Sequence, residues 1–272
     1  MNRKISVIMG AYQIEHLSMF HEAVNSILKQ SYPNFEFIIC NDGSTDHTQA
    51  LLETLAKRDA RVKLLNSPQN EGLASALNRC LAVAEGDYIA RQDADDISQP
   101  TRLERELDFL EQHRELSFVG CDIALYDQNG LWGQRKFPAF PKKEDFLFTM
   151  PFVHGTLMFR KETLLSVSGY RIATETKRAE DYDLLMRLYA KNAIGGNIPE
   201  QLYWFLEDAA AMNRRKYKER VYEAKVRYQG FRQLGLFPKG YLYVVKPLVV
   251  GLIPHKALNW LKKLRRNCFR PF

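Results

Sequence analysis

The sequence predicts an α/β fold in which helices flank a mostly parallel central sheet. Short apolar segments alternate with longer amphipathic ones through residues 1–98, which is the pattern of repeated strand–helix–strand units. Polar and turn-forming residues follow each apolar segment. The chain has 272 residues, of which 46% are hydrophobic. It is therefore long and apolar enough to bury a large core, and global disorder is not expected.

The first half of the chain gives the clearest elements. We predict strands over residues 5–9, 35–40, 62–66 and 87–93, and helices over residues 17–30, from Asp46 to about 59, and over 71–85. In the last of these helices the apolar residues recur at helical spacing on one face, and Gly86 follows it.

The second half is less regular. We predict helices over residues 99–113, 180–190 and 212–233, strands over 118–127, 154–160 and 197–206, and a proline-containing break over 137–141. Because the carboxyl ends of parallel strands meet at one edge of a sheet, the loops after the first, second and fourth strands are expected to line one crevice.

Charge divides the chain into two parts. The net charge is +7, but residues 212–272 contain 16 Lys and Arg and only two acidic residues. We therefore predict a catalytic domain over 1–211 and a basic helical extension over 212–272. A basic extension favours an anionic partner, which can be a lipid surface, a phosphorylated substrate or a nucleic acid.

The cysteines and the N-terminus argue against several classes of protein. The four cysteines are far apart and form no Cys-x-x-Cys pair, which argues against a disulfide scaffold or a zinc site and indicates a reducing compartment. The apolar run at residues 5–9 is too short for the core of a signal peptide. The sequence also lacks a glycine-rich phosphate loop of the Walker or Rossmann type.

Acidic residues cluster where the predicted strands end. Asp93, Asp95 and Asp96 follow the apolar run 88–90, and their mutual repulsion favours a nearby cation. Carboxylates are ligands that Mg²⁺ and Mn²⁺ prefer, but a turn or a helix cap explains the same spacing. Asp42 fits either a hydrogen bond to a nucleotide or an ordinary turn.

Glu180 and Asp181 open a predicted helix. The helix dipole favours acidic residues in the first turn, so capping is one explanation. The other is a general base at the mouth of the crevice.

Taken together in their order, the motifs resemble glycosyltransferase family 2, which consists of inverting enzymes of the GT-A fold with nucleotide-sugar donors. The likeness is greatest to bacterial enzymes that build capsule, exopolysaccharide or O-antigen. The segments that carry it are SVIMGAYQ (6–13), LKQSYPNFEFIICNDGSTD (28–46), NEGLASALNRCLAVAEGDYIARQDADDIS (70–98), HGTLMFRKETLLSVSGY (154–170) and AEDYDLLMRL (179–188).

The resemblance implies a division of labour within the catalytic domain, with a nucleotide-binding half at about 1–98 and an acceptor half at about 99–211. Asp42 is expected to bond the uracil N3–H, Asp93 to contact the ribose, and Asp95 to ligate Mn²⁺ or Mg²⁺ at the diphosphate. Asp181 is the expected general base, with Glu180 beside it. The other residues implied are Ala11, Tyr12, Asn70, Gly72, Leu73 and Ala94 for the nucleotide sugar, and His154, Gly155 and Met158 for the acceptor side.

The chain departs from the family pattern after the last predicted strand. Many relatives carry Tyr-Arg-x-His there, whereas Phe205 and Glu207 stand near the positions of the Arg and His. Glu207 is therefore a candidate third metal ligand beside Asp93 and Asp95, and Arg214 and Arg215 are candidates for the phosphates.

The predicted function is metal-dependent transfer of a hexose from a UDP-sugar, with inversion, to a saccharide acceptor on undecaprenyl diphosphate. The apolar stretch 241–254 is interrupted by Lys246 and Pro247 and is too short to span a bilayer. Residues 257–264 combine an apolar face with flanking lysines and arginines, which is typical of a helix lying in a lipid interface. The same pattern fits a helix packed on the catalytic domain or on a partner in a homodimer.

We therefore expect a cytoplasmic protein at the inner face of the membrane, bound to its anionic surface, with no nucleic-acid partner. Two alternatives remain at this point. One is a basic nucleic-acid-binding protein, and the other is a nucleotidyltransferase on a related α/β fold.

Overall fold

A computed structural model describes residues 3–207 and 217–252. Within them the chain forms a nine-stranded sheet. The strands are β1 (Ile5–Ala11), β2 (Phe35–Asn41), β3 (Val62–Asn66), β4 (Tyr88–Arg91), β5 (Ile97–Ser98), β6 (Phe118–Asp127), β7 (Gly130–Arg135), β8 (Met158–Arg160) and β9 (Gly195–Leu206).

The helices of the described residues flank this sheet. They are α1 (Leu17–Leu28), α2 (Thr48–Arg58), α3 (Leu73–Val83), α4 (Arg102–Gln112), α5 (Lys161–Ser166), α6 (Glu180–Ala190), α7 (Tyr217–Gln233) and α8 (Gly240–Leu252). Short 3₁₀ helices cover Lys143–Leu147, His154–Thr156 and Thr174–Thr176.

The sheet has the order β3-β2-β1-β4-β8-β6-β9-β5, with β7 paired to β6. The four strands β3, β2, β1 and β4 are parallel, and so are β6 and β9. The remaining pairs, β4–β8, β6–β8, β6–β7 and β5–β9, are antiparallel. The predicted α/β fold is thus confirmed, and its sheet is parallel in the N-terminal part and mixed beyond it.

Alternation along the strands builds a core on each face of the sheet. Successive side chains of a strand point to opposite faces, so Val7 and Met9 join one cluster with residues of α1 and α4. Ile8 joins the other cluster, together with residues of α3 and α6. Both layers are buried, which explains why β1 and β2 read as continuous apolar runs.

One predicted strand is wrong in part. Residues 154–160 were expected to be extended, but His154–Thr156 form a 3₁₀ turn and only Met158–Arg160 pair in the sheet. The Thr156 hydroxyl donates a hydrogen bond to the Val153 carbonyl at 2.8 Å, which closes the turn. Periodicity does not reveal such a turn, because its residues are all buried.

The extension shares the core of the catalytic region. Val226 and Phe231 of α7 lie in the same buried cluster as α6. Gly230 allows the two helices to approach closely, since a Cβ at this position would overlap the side chain of Met186. The predicted boundary at 211/212 and the residues 257–264 lie outside the described residues. None of the described helices is long and apolar enough to cross a bilayer.

Candidate active site

A crevice of about 350 Å³ opens at the carboxyl ends of β1 and β4. Its walls come from the loops that follow these strands, from the start of α1 and α3, and from the end of β9. The lining residues are Gly10, Tyr12, Gln13, Ile14, Glu15, His16, Met19, Phe20, Leu73, Arg91, Asp93, Ala94, Asp95 and Leu206. The structure thus brings together Tyr12, Leu73, Asp93, Ala94 and Asp95, whereas the loop after β2, which was expected to line the same crevice, is not part of this lining.

The loops after β1 and β2 are joined by hydrogen bonds. The Asp42 amide donates to the Ala11 carbonyl at 2.8 Å. The Gln13 amide donates to the Ser44 hydroxyl at 3.0 Å. Ala11 itself is buried, so its place in the site is to carry Tyr12 into the crevice, where Tyr12 is exposed.

Asp42 holds the loop that leads into α3. Its carboxylate accepts hydrogen bonds from the amides of Glu71 at 3.0 Å and Gly72 at 2.8 Å. Gly72 has φ +93°, a conformation that side chains rarely adopt. Asn70 is exposed at this loop. A carboxylate has about four acceptor sites, so these bonds leave capacity for a further donor. Asp42 is nevertheless buried and is not among the residues that line the crevice, and its contact with a base stays a prediction.

The cation nearest to Asp93 is a protein side chain. Arg91 is 1% exposed, and its Nη2 lies 2.6 Å from Oδ1 of Asp93. The Asp93 amide donates to the Tyr203 hydroxyl at 3.2 Å. Asp93 is therefore held in one orientation by groups behind the crevice wall.

Asp95 is exposed at the crevice, unlike its neighbours. The surrounding walls remove much of its water and the charge of Asp93 repels its own, so the pKa of Asp95 is raised to about 6. Asp96 is buried and accepts a hydrogen bond from the Leu206 amide at 2.7 Å. It ties the loop to the end of β9, and burial raises its pKa well above the usual range.

A buried polar network supports the aspartate loop. Arg102 donates to the Arg91 carbonyl at 2.8 Å and to the Ser98 hydroxyl at 2.9 Å. Its Nε lies 2.9 Å from Glu106, and both side chains are fully buried. Burial raises the pKa of Glu106 to about 7 although Arg102 opposes the shift. These groups lie on the inner side of the loop and contribute its shape.

The donor set for a metal consists of two carboxylates. No group of three His, Cys, Asp or Glu side chains within residues 3–207 and 217–252 is arranged to hold a metal ion. Glu207 forms an ion pair with Arg135, so it is engaged elsewhere than with Asp93 and Asp95. Two hard oxygen donors fit Mg²⁺ or Mn²⁺, which commonly take the rest of their ligands from phosphates and water.

The predicted acceptor residues lie behind Asp93. A Cβ at Gly155 would be 2.7 Å from Oδ2 of Asp93, so only glycine leaves room there. His154 is buried, and its Nε2 lies 2.8 Å from the Tyr170 hydroxyl. Burial and the charge of Arg91 lower the pKa of His154 to about 3, so it is neutral. Met158 is fully buried in the core and acts by packing.

Glu180 and Asp181 stand in the first turn of α6 and are not among the residues that line the crevice. Burial is the main cause that raises the pKa of Tyr170, and the charges of Asp181, Asp93 and Glu180 act in the same direction. Burial and the neighbouring Asp181 raise the pKa of Glu180 to about 7.

Sequence reasoning missed Arg91, Arg102, Tyr170 and Tyr203. A signal was present for Arg91, because an arginine inside an otherwise apolar strand must be paired when it is buried. Tyr203 gave no such signal, since an aromatic residue in a strand usually serves the core.

Residues 6–168 match the family model described as "Glycosyl transferase family 2". The chain belongs to glycosyltransferase family 2. Among its relatives, EpsE of Bacillus subtilis, named as a glycosyltransferase, is 40% identical over 96% of this chain and 94% of its own length. The O-antigen biosynthesis glycosyltransferase WbnJ of Escherichia coli is 35% identical over 68% of this chain and 71% of its own.

Solved structures of other proteins share the fold of this family 2 chain. S. aureus TarS in complex with UDP-GlcNAc superposes with a TM-score of 0.67, at 19% identity, over 92% of this chain and 71% of its own. The mannosyltransferase PcManGT of Pyrobaculum calidifontis in complex with GDP-Man and Mn²⁺ gives a TM-score of 0.62, at 18% identity, over 98% of this chain and 80% of its own. These superpositions establish the GT-A fold, and the family model and the relatives establish the glycosyltransferase class.

Proposed function

We propose that this glycosyltransferase moves a hexose from a UDP-sugar to a saccharide acceptor, with inversion, in bacterial surface polysaccharide synthesis. One observation carries the proposal: Asp93 and Asp95 share a crevice with Tyr12 and Leu73. An aromatic ring and an aliphatic side chain suit a nucleoside, and two carboxylates suit the metal-bound diphosphate attached to it. TarS and PcManGT, which share the fold, were solved with nucleotide sugars.

The chain's own residues position the donor. Tyr12 and Leu73 would hold the nucleoside, and Asp42 would accept the N3–H of uracil. Asp95 would be the main metal ligand, since it is exposed at the crevice, while Asp93, which is held by Arg91, would face the ribose. A dication bound there would offset the charge that gathers on the diphosphate as the glycosidic bond breaks.

Asp181 would act as the general base. The acceptor oxygen attacks the anomeric carbon from the face opposite the diphosphate, the bond to the diphosphate oxygen breaks, and UDP leaves with that electron pair. Asp181 takes the proton of the acceptor hydroxyl. One displacement inverts the configuration, so one base is sufficient and no enzymic nucleophile is required. His154, being buried and neutral, would support Tyr170 between the two carboxylate groups.

The acceptor and the location are part of the same proposal. We place the acceptor sugar on undecaprenyl diphosphate and the enzyme at the inner face of the cell membrane. The name of WbnJ, which assigns that relative to O-antigen biosynthesis, supports a polysaccharide pathway. The basic extension supports an anionic surface nearby.

A screen for UDP release over nucleotide sugars, with Mn²⁺ and without it, tests the proposal. Asp95→Asn removes one charge from the crevice, and we expect metal-dependent UDP release to fall by roughly 10²-fold or more, because the lost carboxylate would hold the dication that offsets the charge of the departing diphosphate. Binding of UDP should also lose its dependence on Mn²⁺ in calorimetry.

Asp87→Asn is the matched control, since Asp87 is an exposed acid that immediately precedes β4, at the end of the strand opposite to the crevice. It should behave as wild type. Release of pyrophosphate in place of UDP would indicate nucleotidyl transfer and refute the proposal, as would full activity of Asp95→Asn.

A further inference from the structure

An apolar stripe on α8 faces solvent. Leu242, Val245, Val249 and Leu252 are 80%, 48%, 53% and 72% exposed, and their spacing of three, four and three residues places them on one side of the helix. Tyr241 is also exposed beside them. The opposite side of α8, with Gly240 and Pro247, is buried. Four aligned aliphatic side chains in water are unusual for a protein that has no partner for them.

Further apolar surface borders this stripe. On one side, Leu248 and Val244 line an apolar cleft of about 290 Å³ against α7. On the other side, the exposed Phe148 packs edge-to-face on Tyr243 at 5.1 Å. Lys246 donates to the Phe148 carbonyl at 3.2 Å. The stripe is therefore fixed on the body of the enzyme by contacts on both of its edges.

The exposed charges of the described extension are positive, and one of them, Lys246, is on α8 itself. Exposed cations of the described extension are Lys218, Lys225, Arg232, Lys239 and Lys246. Both acidic residues of this part, Glu219 and Glu223, are ion-paired with arginines. In the sequence, residues 253–272 add six Lys and Arg and no acidic residue.

We propose that α8 lies in the plane of an anionic lipid surface, with the stripe Leu242, Val245, Val249 and Leu252 inserted below the headgroups. Thirteen residues make a helix of about 20 Å, too short to span a bilayer but suited to lying on it. A second copy of the chain fits less well, because a symmetric contact would bring two basic surfaces together. Nucleic acid would leave the aliphatic side chains without a partner.

This inference deepens the proposed function by naming the membrane-contacting surface, and it is tested without any nucleotide or sugar. Flotation of the full chain with phosphatidylglycerol-containing vesicles should carry the protein upward, and pure phosphatidylcholine vesicles should bind far less. Added salt should weaken binding, because it screens the headgroup charges. Leu242→Asp/Val249→Asp should lower binding by about tenfold or more, since two buried aliphatic chains become charged.

Leu131→Asp/Leu165→Asp is the matched control, because both leucines are 55% exposed on the catalytic region. It should bind vesicles as wild type does. All three proteins should melt at the same temperature, since the four positions are exposed. Three results would overturn the proposal: no binding of wild type to anionic vesicles, equal binding by both double variants, or a dimer in sedimentation velocity that Leu242→Asp/Val249→Asp dissociates. A failure of sugar transfer alone would leave these results unchanged.

Discussion

Asp93, Asp95 and Asp96 stand within four positions of the chain but meet three different surroundings. Arg91 neutralises Asp93 from behind, the Leu206 amide binds Asp96, and Asp95 is exposed at the crevice. The cluster is tolerated because one of its charges is paired and another is held in a buried hydrogen bond. This distribution leaves Asp95 as the carboxylate best placed to serve a bound ion.

Glu180 gives a prediction for the pH dependence of the reaction. Its pKa is raised to about 7 by burial and by Asp181, so it gains its charge as the pH rises through about 7. The added charge makes Asp181 a stronger base, and kcat should therefore rise over the same range. In Glu180→Gln this rise should disappear, which a pH–rate profile between about pH 5.5 and 8.5 would show.

Glu162→Gln is a suitable control, because Glu162 is an exposed acid in the first turn of α5. Its profile should match wild type. Asp181→Asn should lose turnover across the whole range, by about 10²–10⁴-fold. An unchanged slope in Glu180→Gln would contradict the assignment of the titrating group.

At the scale of elements, the first three strand–helix units followed from local pattern. In β1–α3 each strand is a mainly apolar run and each helix has one apolar face, and these patterns can be recognised without knowledge of distant contacts. The turn at His154–Thr156 could not be predicted in this way, because Gly155 adopts its place to make room for Asp93 and Tyr203. The same holds for the site. The position of the loops after β1 and β4 at one crevice could be predicted from the strand pattern, whereas the contacts of Arg102 and Tyr170 join residues far apart in the sequence and could not be predicted.

Glu36 joins three elements and predicts an acid-sensitive fold. It is buried in β2, with Lys63 of β3 at 2.7 Å and Ser6 of β1 at 2.6 Å. Burial alone would raise the pKa of Glu36, but these partners outweigh burial and lower the pKa to about 2. The resulting stability is present above about pH 4.5 and is lost as the pH falls toward 2; it amounts to about 3 kcal/mol.

Glu36→Gln should therefore lower the free energy of unfolding at pH 7 by roughly 1–3 kcal/mol, and this deficit should shrink below about pH 4. Urea unfolding at several pH values measures it. Glu85→Gln is the control, because Glu85 contacts the same Lys63 but is 60% exposed, so water screens its ion pair and the variant should lose far less stability than Glu36→Gln. Equal effects of the two variants would show that burial of Glu36 is not decisive.

At the scale of the whole molecule, charge and packing divide the chain differently. Composition separates a basic extension from a mildly acidic catalytic region. Packing joins them, because Val226 and Phe231 of α7 complete a core that includes α6. Arg171, which lies before α6, also bonds Asp183 of α6 and Gln229 of α7. The helix that opens with Glu180 and Asp181 is thus supported by the extension, so the proposed lipid-binding surface is connected through packed helices to the proposed catalytic residues.

Gly230→Val tests this connection. A side chain at 230 would overlap Met186, which is only 1% exposed and has little room to move. Overpacking of this kind typically costs 1–3 kcal/mol, so we expect the unfolding free energy to fall by about 2 kcal/mol in a single cooperative transition. Gln233→Val places the same side chain on an exposed position of α7 and controls for the introduction of a valine into this helix; it should cost about 0.5 kcal/mol, because valine has a lower helix propensity than glutamine. If Gly230→Val instead gave two separate transitions in calorimetry, with the main one at the wild-type temperature, the extension would be an independent unit and the shared core would not govern stability.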